Sequence, residues 1–253
     1  MGVGSCLVNA PASQPIVFIT GTDTGVGKTL LTGLLLQHLR RKGCHALAMK
    51  PFCCGGRADA QLLHAVQDGE LNLDEINPFF FEEPVAPLVA ARAHHLSIRM
   101  EEVVRRIAHA ATRCERLLIE GAGGLLVPLG EGYGVADLIA KLNCQVIVVS
   151  PNRLGTINHT VLTLRTLQPI GAKRLKVVMM AQSQPDPSAD SNPLIVAELL
   201  GQVPVLSLDF FGGDACQLPA LRGIEKKLRK VLRRFWRRII SAIVLCETER
   251  FGG

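Results

Sequence analysis

Aromatic side chains are scarce: one Trp, one Tyr and nine Phe make up 4% of 253 residues. That excludes surfaces that stack successive bases on rings, the usual platform for single-stranded nucleic acid. The eight cysteines (Cys6, Cys44, Cys53, Cys54, Cys114, Cys144, Cys216 and Cys246) include no CxxC pair. Zinc-ribbon and dithiol redox chemistry lose their spacing. With no signal-peptide pattern, the thiols are expected to be reduced in a cytoplasmic protein. Apolar runs stop at strand length, so no transmembrane helix is expected. Cys6 stands where a myristoylation signal needs Ser or Thr, so no lipid anchor is expected either.

What is present is a globular composition, 48% hydrophobic and 20% charged, enough for one large domain. The expected organisation is a flexible leader over 1–14, a single domain over 15–238, and a tail over 239–253. The net charge of +6 is unevenly placed. Between Arg222 and Arg238 nine Lys and Arg stand against one acid, Glu225, so the rest of the chain carries about −2. Ile224, Leu228, Val231, Leu232, Phe235 and Ile239 recur there at helical spacing. The expectation is a final helix docked on the domain with its basic side to solvent, and no nucleic-acid or membrane partner.

Short β-rich runs alternate with helical patterns. Strands are expected at Ile16–Thr20, His45–Lys50, Arg116–Glu120, Gln145–Ser150, Lys176–Ala181 and Pro204–Leu208. Helices are expected at Lys28–Lys42, Ala58–Gln67, Met100–Arg113, Val135–Lys141, Ile157–Leu167, Asn192–Leu200 and Pro219–Arg238. Val146-Ile147-Val148-Val149 has no polar alternation, as a strand buried on both faces requires. The order implies an α/β fold, a doubly wound and mostly parallel sheet like that of the P-loop NTPases.

The first strand runs into Gly21-Thr22-Asp23-Thr24-Gly25-Val26-Gly27-Lys28-Thr29. Its Gly-Lys-Thr end is the core of the phosphate loop, although Gly21 precedes Gly27 by one residue more than usual. Glycines let successive N–H groups converge on one anion, and the next helix adds its positive end. Lys28 is placed to reach the β- and γ-phosphates, and the Thr29 hydroxyl to bind Mg2+. Nucleotide contacts are assigned to Gly25, Val26, Gly27, Lys28, Thr29 and Leu30.

Lys50 ends the second strand, and ligands of doubly wound sheets bind at carboxyl ends. Asp59 sits just inside a helix start. Glu120 closes the third strand ahead of Gly121-Ala122-Gly123-Gly124. Two acids, Thr29 and phosphate oxygens make a hard-oxygen shell for Mg2+, so Asp59, Glu120, Gly121, Ala122 and Gly123 join the ATP site.

In order along the chain stand Gly-Thr-Asp-Thr-x-Val-Gly-Lys-Thr, Lys-Pro, Gly-Gly-Arg-x-Asp-Ala and Glu-Gly-Ala-Gly-Gly. Asn77-Pro78, Glu83-Pro84-Val85-Ala86-Pro87, Val127-Pro128-Leu129 and Leu154-Gly155-Thr156-Ile157-Asn158-His159 accompany them. This set resembles the dethiobiotin synthetase family over about Pro15 to Leu206. The resemblance implies ATP- and Mg2+-dependent carboxylation of 7,8-diaminopelargonate by CO2 (or bicarbonate) and ring closure to dethiobiotin, ADP and phosphate. It implies Lys50, Lys28 and Thr24 at the reacting groups and nucleotide contacts at Gln182, Pro204, Val205 and Leu206. It also implies a homodimer with sites at the interface, where Cys54 lies near the diamine and Gly155, Thr156, Ile157 and Asn158 receive the substrate carboxylate. Cys54 replaces the family's usual Ser or Thr, Gln182 an Asn, and Gly25 a frequent acid. Partitioning or site-selection ATPases, dimerisation switches of a related fold, carry an additional lysine early in the loop where this chain has Gly21-Thr22-Asp23. Amide-forming synthases of corrin rings need a glutaminase domain that this sequence lacks.

Overall fold

Runs of Val, Ile and Leu without polar alternation can be satisfied only between two helical layers, and this is where they lie. The structure, a computed structural model, describes residues 16–240. The expected leader over 1–14 and the tail beyond Ile240 lie outside the described residues.

The chain begins with β1 (Ile16–Gly21), α1 (Lys28–Arg41), β2 (Ala46–Met49), β3 (Phe52–Cys54), α2 (Ala58–Val66), α3 (Leu73–Ile76) and β4 (Phe79–Phe81). It continues with α4 (Pro87–Ala93), α5 (Met100–Ala111), β5 (Arg116–Gly124), β6 (Pro128–Gly130), β7 (Tyr133–Gly134) and α6 (Val135–Leu142). Then come β8 (Gln145–Asn152), α7 (Thr156–Leu167), β9 (Lys173–Ala181), α8 (Asn192–Leu200), β10 (Val205–Leu208) and α9 (Leu218–Ile240), the last preceded by a 3-10 turn at Gly213–Cys216.

One six-stranded sheet, in the order β10-β9-β8-β1-β5-β2, holds the fold, and every neighbouring pair in it is parallel. Its central residues, Phe18, Ile19, Leu118 and Val146–Val149 among them, are buried. From β1 the chain first builds one side, β5 and β2, and later the other, β8 to β10. The crevice at the carboxyl end of β1 is therefore the topological switch point, where doubly wound sheets bind ligands.

All six expected strands are the six strands of this sheet, and the seven expected helices form within two residues of their expected ends. The pattern missed β3 and β4, which pair in parallel as Phe52↔Phe79 to Cys54↔Phe81, and the antiparallel pair β6–β7. It also missed α3 and α4. Each is two to seven residues long, too short to show a period. His94 and His95 follow α4 as surface residues.

Helix α9 docks on α1 with its basic side out. Leu221, Ile224 and Leu232 are buried, while Lys226, Lys227, Lys230, Arg233 and Arg234 are exposed. A Cβ on Gly33 of α1 would sit 2.6 Å from Leu221 Cδ1, so the bare glycine permits the close crossing. The helix's one acid is buried. Glu225 accepts from Arg41 at 3.0 Å and meets His38 Nδ1 at 3.2 Å. Replacing Glu225 by Ala strands these donors and is expected to cost about 2 kcal/mol. It should appear as a lower urea midpoint at unchanged slope; an unmoved midpoint would deny the cluster that weight. Among the described residues no helix is long and apolar enough to cross a membrane.

Candidate nucleotide and substrate site

The loop between β1 and α1 is set by its glycines. Gly27 caps α1 at φ 100 and Gly25 lies at φ 72, a region where L side chains are strained. A Cβ on Gly27 would also sit 3.1 Å from the Met180 side chain. Gly27→Ala should therefore cost about 1–2 kcal/mol of stability and weaken ATP binding further, because the curl that converges the loop N–H groups is lost. Paired melting curves with and without ATP will separate the two losses.

Lys28, the first residue of α1, is buried, and its ammonium donates to the Asp23 carbonyl at 2.8 Å. Burial lowers its pKa to about 8, assisted by the charge of Lys50 and opposed by Glu120, Asp59 and Asp23. Thr29 donates its hydroxyl to Glu120 Oε1 at 2.7 Å.

Lys50, the first residue beyond β2, lies between two carboxylates, donating to Asp59 Oδ2 and to Glu120 Oε1 at 2.5 Å each. Burial pushes its pKa down, but the carboxylates of Glu120 and Asp59 outweigh this and hold the ammonium charged well above the ordinary lysine range. Burial would raise the Asp59 carboxyl; Lys50, by charge and hydrogen bond, overrides it and keeps Asp59 below the usual carboxylate range. Glu120 is fully buried on β5, and its Oε2 has no hydrogen-bond partner.

A cleft of about 430 Å3 opens beside this cluster, lined by Thr24, Lys50, Cys54, Asp59, Ala122, Gly123 and the Pro84–Pro87 loop. Phe52, which lines the cleft, stacks on Phe79 across the β3–β4 pair at 4.9 Å between ring centroids.

Residues 16–208 match a family model described as an AAA domain. Over 197 residues the chain is 42% identical to the "ATP-dependent dethiobiotin synthetase BioD" of Anaeromyxobacter sp. (strain Fw109-5), covering 76% of this chain and 88% of that one. The chain belongs to the dethiobiotin synthetase family. A relative of the same name from Bacillus subtilis (strain 168) is 36% identical over 197 residues, covering 76% of this chain and 85% of its own length. Dethiobiotin synthetases are ligases of biotin biosynthesis, and so is this chain. A nucleotide-binding protein from Archaeoglobus fulgidus, solved with ADP, matches at TM-score 0.53 and 14% identity over 85% of this chain and 88% of that one. It shares the P-loop NTPase fold.

As a dethiobiotin synthetase, the chain brings some of its expected site residues together and leaves others apart. Lys28, Thr29, Lys50, Asp59 and Glu120 form one linked cluster. Thr24 and Cys54 line the adjoining cleft, with the Cys54 thiol pushed up to about 11 by burial and then by Glu83. Gly121, Ala122 and Gly123 lie on β5, which runs four residues past Glu120. Val26 and Leu30 turn their side chains into the core, which leaves them only backbone groups for a ligand.

Gln182 follows the carboxyl end of β9, its amide donating to the Met180 carbonyl at 2.9 Å. Pro204, Val205 and Leu206 are not at that end. The Pro204 carbonyl accepts from Val177 at 2.9 Å, and Val205 and Leu206 pair with Val177 and Val178 low in β9. At the carboxyl end of β10 stand Asp209, Phe210, Phe211 and Gly212, with Phe210 half exposed. The rule that ligands gather at carboxyl ends, applied to the last strand, was the signal that points to them. Gly155, Thr156, Ile157 and Asn158 open α7, beyond the carboxyl end of β8. None of them lines the cleft beside Lys50, and the Thr156 hydroxyl is buried against Thr160.

The residues present fit Mg2+. Thr29, Asp59 and Glu120 offer only hard oxygens, and Glu120 Oε2 is a buried, unpartnered acceptor. Among the described residues no group of three or more His, Cys, Asp or Glu could hold a metal by itself. The set suits a cation that takes its remaining ligands from phosphate and water.

Proposed function

We propose that the chain converts 7,8-diaminopelargonate, CO2 and ATP into dethiobiotin, ADP and phosphate. The observation that carries this reading is the Lys50 ammonium, held between Asp59 and Glu120 at 2.5 Å each and facing the cleft beside the phosphate loop. One amine of the substrate takes up CO2 as a carbamate. The carbamate oxygen takes the γ-phosphoryl group, and ADP leaves. The second amine then attacks the carbonyl and expels phosphate as the ring closes. The phosphoryl transfer sets an anion, the carbamate, against another, the γ-phosphate. Lys28 in the phosphate loop and Lys50 on the cleft wall hold the carbamate and γ-phosphate together and stabilise the charge in transfer. Thr24 lines the cleft beside them. Thr29, Asp59 and Glu120 would hold Mg2+, which supplies charge neutralisation on the phosphates. No protein nucleophile is required.

The adenine end of ATP is assigned to Gln182 and to the Asp209–Gly212 loop, which takes the place of Pro204–Leu206. The homodimer reading is supported by exposed leucines around the start of α7: Leu126 at 74%, Leu154 at 81% and Leu162 at 56%. In that reading, Gly155–Asn158 reach the cleft of a second copy, where the helix start receives the substrate carboxylate.

The direct test is incubation of the full chain with diaminopelargonate, bicarbonate, ATP and Mg2+. Mass spectrometry should find dethiobiotin, and none formed would overturn the reading. A second expectation follows from Lys28. Its pKa of about 8 leaves it partly neutral at pH 8.5 until phosphate arrives, and phosphate favours the charged form. ATP binding should therefore take up protons at pH 8.5 and far fewer at pH 6.5. Calorimetry in buffers of differing ionisation enthalpy reads this; equal uptake at both pH values would remove Lys28 from the phosphates.

A further inference from the structure

Lys50 is aimed by something other than its strand, because β2 ends at Met49. Its backbone N–H leaves the sheet and donates to the Ile76 carbonyl at 2.9 Å. The next residue along, Asn77, is 1% exposed. Its side-chain amide donates to the carbonyls of Lys50 at 3.1 Å, Pro51 at 3.2 Å and Phe79 at 3.3 Å. Its Oδ1 accepts from Arg57 Nε at 3.1 Å. Arg57 Nη2 in turn donates to the carbonyls of Leu73 and Asn77 and to the Asp74 carboxylate at 2.7 Å. Arg57 is also the residue immediately before α2, two positions ahead of Asp59. One buried amide is thereby tied to the backbone that carries Lys50 and, through Arg57, to the helix start that carries Asp59.

We propose that Asn77 and Arg57 are positioning residues for the reaction, a clamp that fixes the Lys50 ammonium relative to Asp59 and the cleft. The inference rests on the reaction proposed above. Satisfying loop carbonyls would need only an amide. What that simpler role does not explain is why the same amide is held from behind by a guanidinium rooted at the start of Asp59's helix. Reacting groups that must meet within a few tenths of an ångström gain from such a support, and a misplacement of 1 Å costs on the order of 10²-fold in rate.

The test compares Asn77→Ala and Arg57→Gln with the wild-type chain by two readouts. The first is turnover. Both variants should lose on the order of 10²-fold in kcat, with ATP affinity within about threefold, since neither residue touches the phosphate loop. The second needs no substrate: acetic anhydride labelling of lysines in the nucleotide-free chain, read by mass spectrometry. Labelling of Lys50 should rise about tenfold in the variants as its segment opens, while that of Lys28 stays near wild type, a shift that a general loss of stability would not confine to one lysine. If Asn77→Ala does not fold, the part-exposed Arg57→Gln carries both measurements, and Arg57→Lys should recover part of the rate. Wild-type Lys50 labelling and kcat in folded Arg57→Gln would overturn the clamp. If the wild type forms no dethiobiotin but Lys50 labelling still rises in the variants, the clamp stands and the proposed reaction falls.

Discussion

Replacing Lys50 by Gln is expected to lower dethiobiotin formation by about 10³-fold, the upper range for removing one preorganised electrostatic partner, while ATP affinity changes by less than about threefold. The two effects separate because of where the charges sit. Lys28 is tied to the phosphate loop through Asp23, whereas Lys50 spans Asp59 and Glu120 and lines the cleft. The glutamine keeps a donor toward Glu120 but brings no charge to two anions that must react. It also leaves both carboxylates without their shared cation, so Mg2+ affinity in the presence of ATP should hold or rise. The pH profile adds a check on sign. The Lys50 pKa lies above the ordinary range, so the wild-type ammonium stays charged from pH 6 to 9 and gives no limb there. A limb near pH 8 belongs to Lys28 and, because the Lys50 charge helps to lower that pKa, should move to higher pH in nucleotide binding by the variant. Normal turnover by Lys50→Gln, or loss of nucleotide binding in step with rate, would remove Lys50 from its assigned role.

The parts of this site that were legible in sequence are those where chemistry dictates residue type. Only Gly readily takes φ 100 at the start of α1, and a Lys followed by Thr or Ser serves the phosphates and their metal at that turn. The central sheet strands were equally plain, because burial on both faces removes polar residues from the pattern. What stayed hidden depends on register and on long-range pairing. The strand expected at Pro204–Leu208 put Pro204-Val205-Leu206 at its start, but only the pairing of Val205 with Val177 shows how far below the carboxyl end of β9 they sit. Phe52-Cys53-Cys54 and Phe79-Phe80-Phe81 are too short to read as strands alone, and each is a strand only because the other is there. In sequence, Asn77 stands only as part of the Asn77-Pro78 motif, with no role of its own. Its three backbone acceptors lie up to 27 positions away, a distance at which no local pattern operates.

Glu120→Gln tests the same cluster from its acidic side. The Glu120 Oε1 atom accepts from Lys50 at 2.5 Å and from Thr29 at 2.7 Å, while Oε2 is buried without a partner. A glutamine can keep its oxygen on Lys50 and Thr29, but its NH2 then occupies a buried position with no acceptor. The Lys50 ammonium also loses the larger of the two charges that oppose its burial. Breaking a buried ion pair on one side costs about 3–5 kcal/mol, so the nucleotide-free variant should melt earlier. Turnover should fall by about 10²–10³-fold. The decisive readout is the metal. In the wild type, Mg2+ added to the ATP-bound chain should raise the melting temperature by mass action, and in Glu120→Gln that increment should largely vanish. An undiminished increment would show that Mg2+ is held elsewhere. The double variant Lys50→Gln/Glu120→Gln then separates stability from function. It no longer buries an unpaired charge at this pair, so it should recover part of the stability lost in Glu120→Gln. Its turnover should nonetheless be no better than that of the worse single variant, because groups that act as one unit do not lose rate additively.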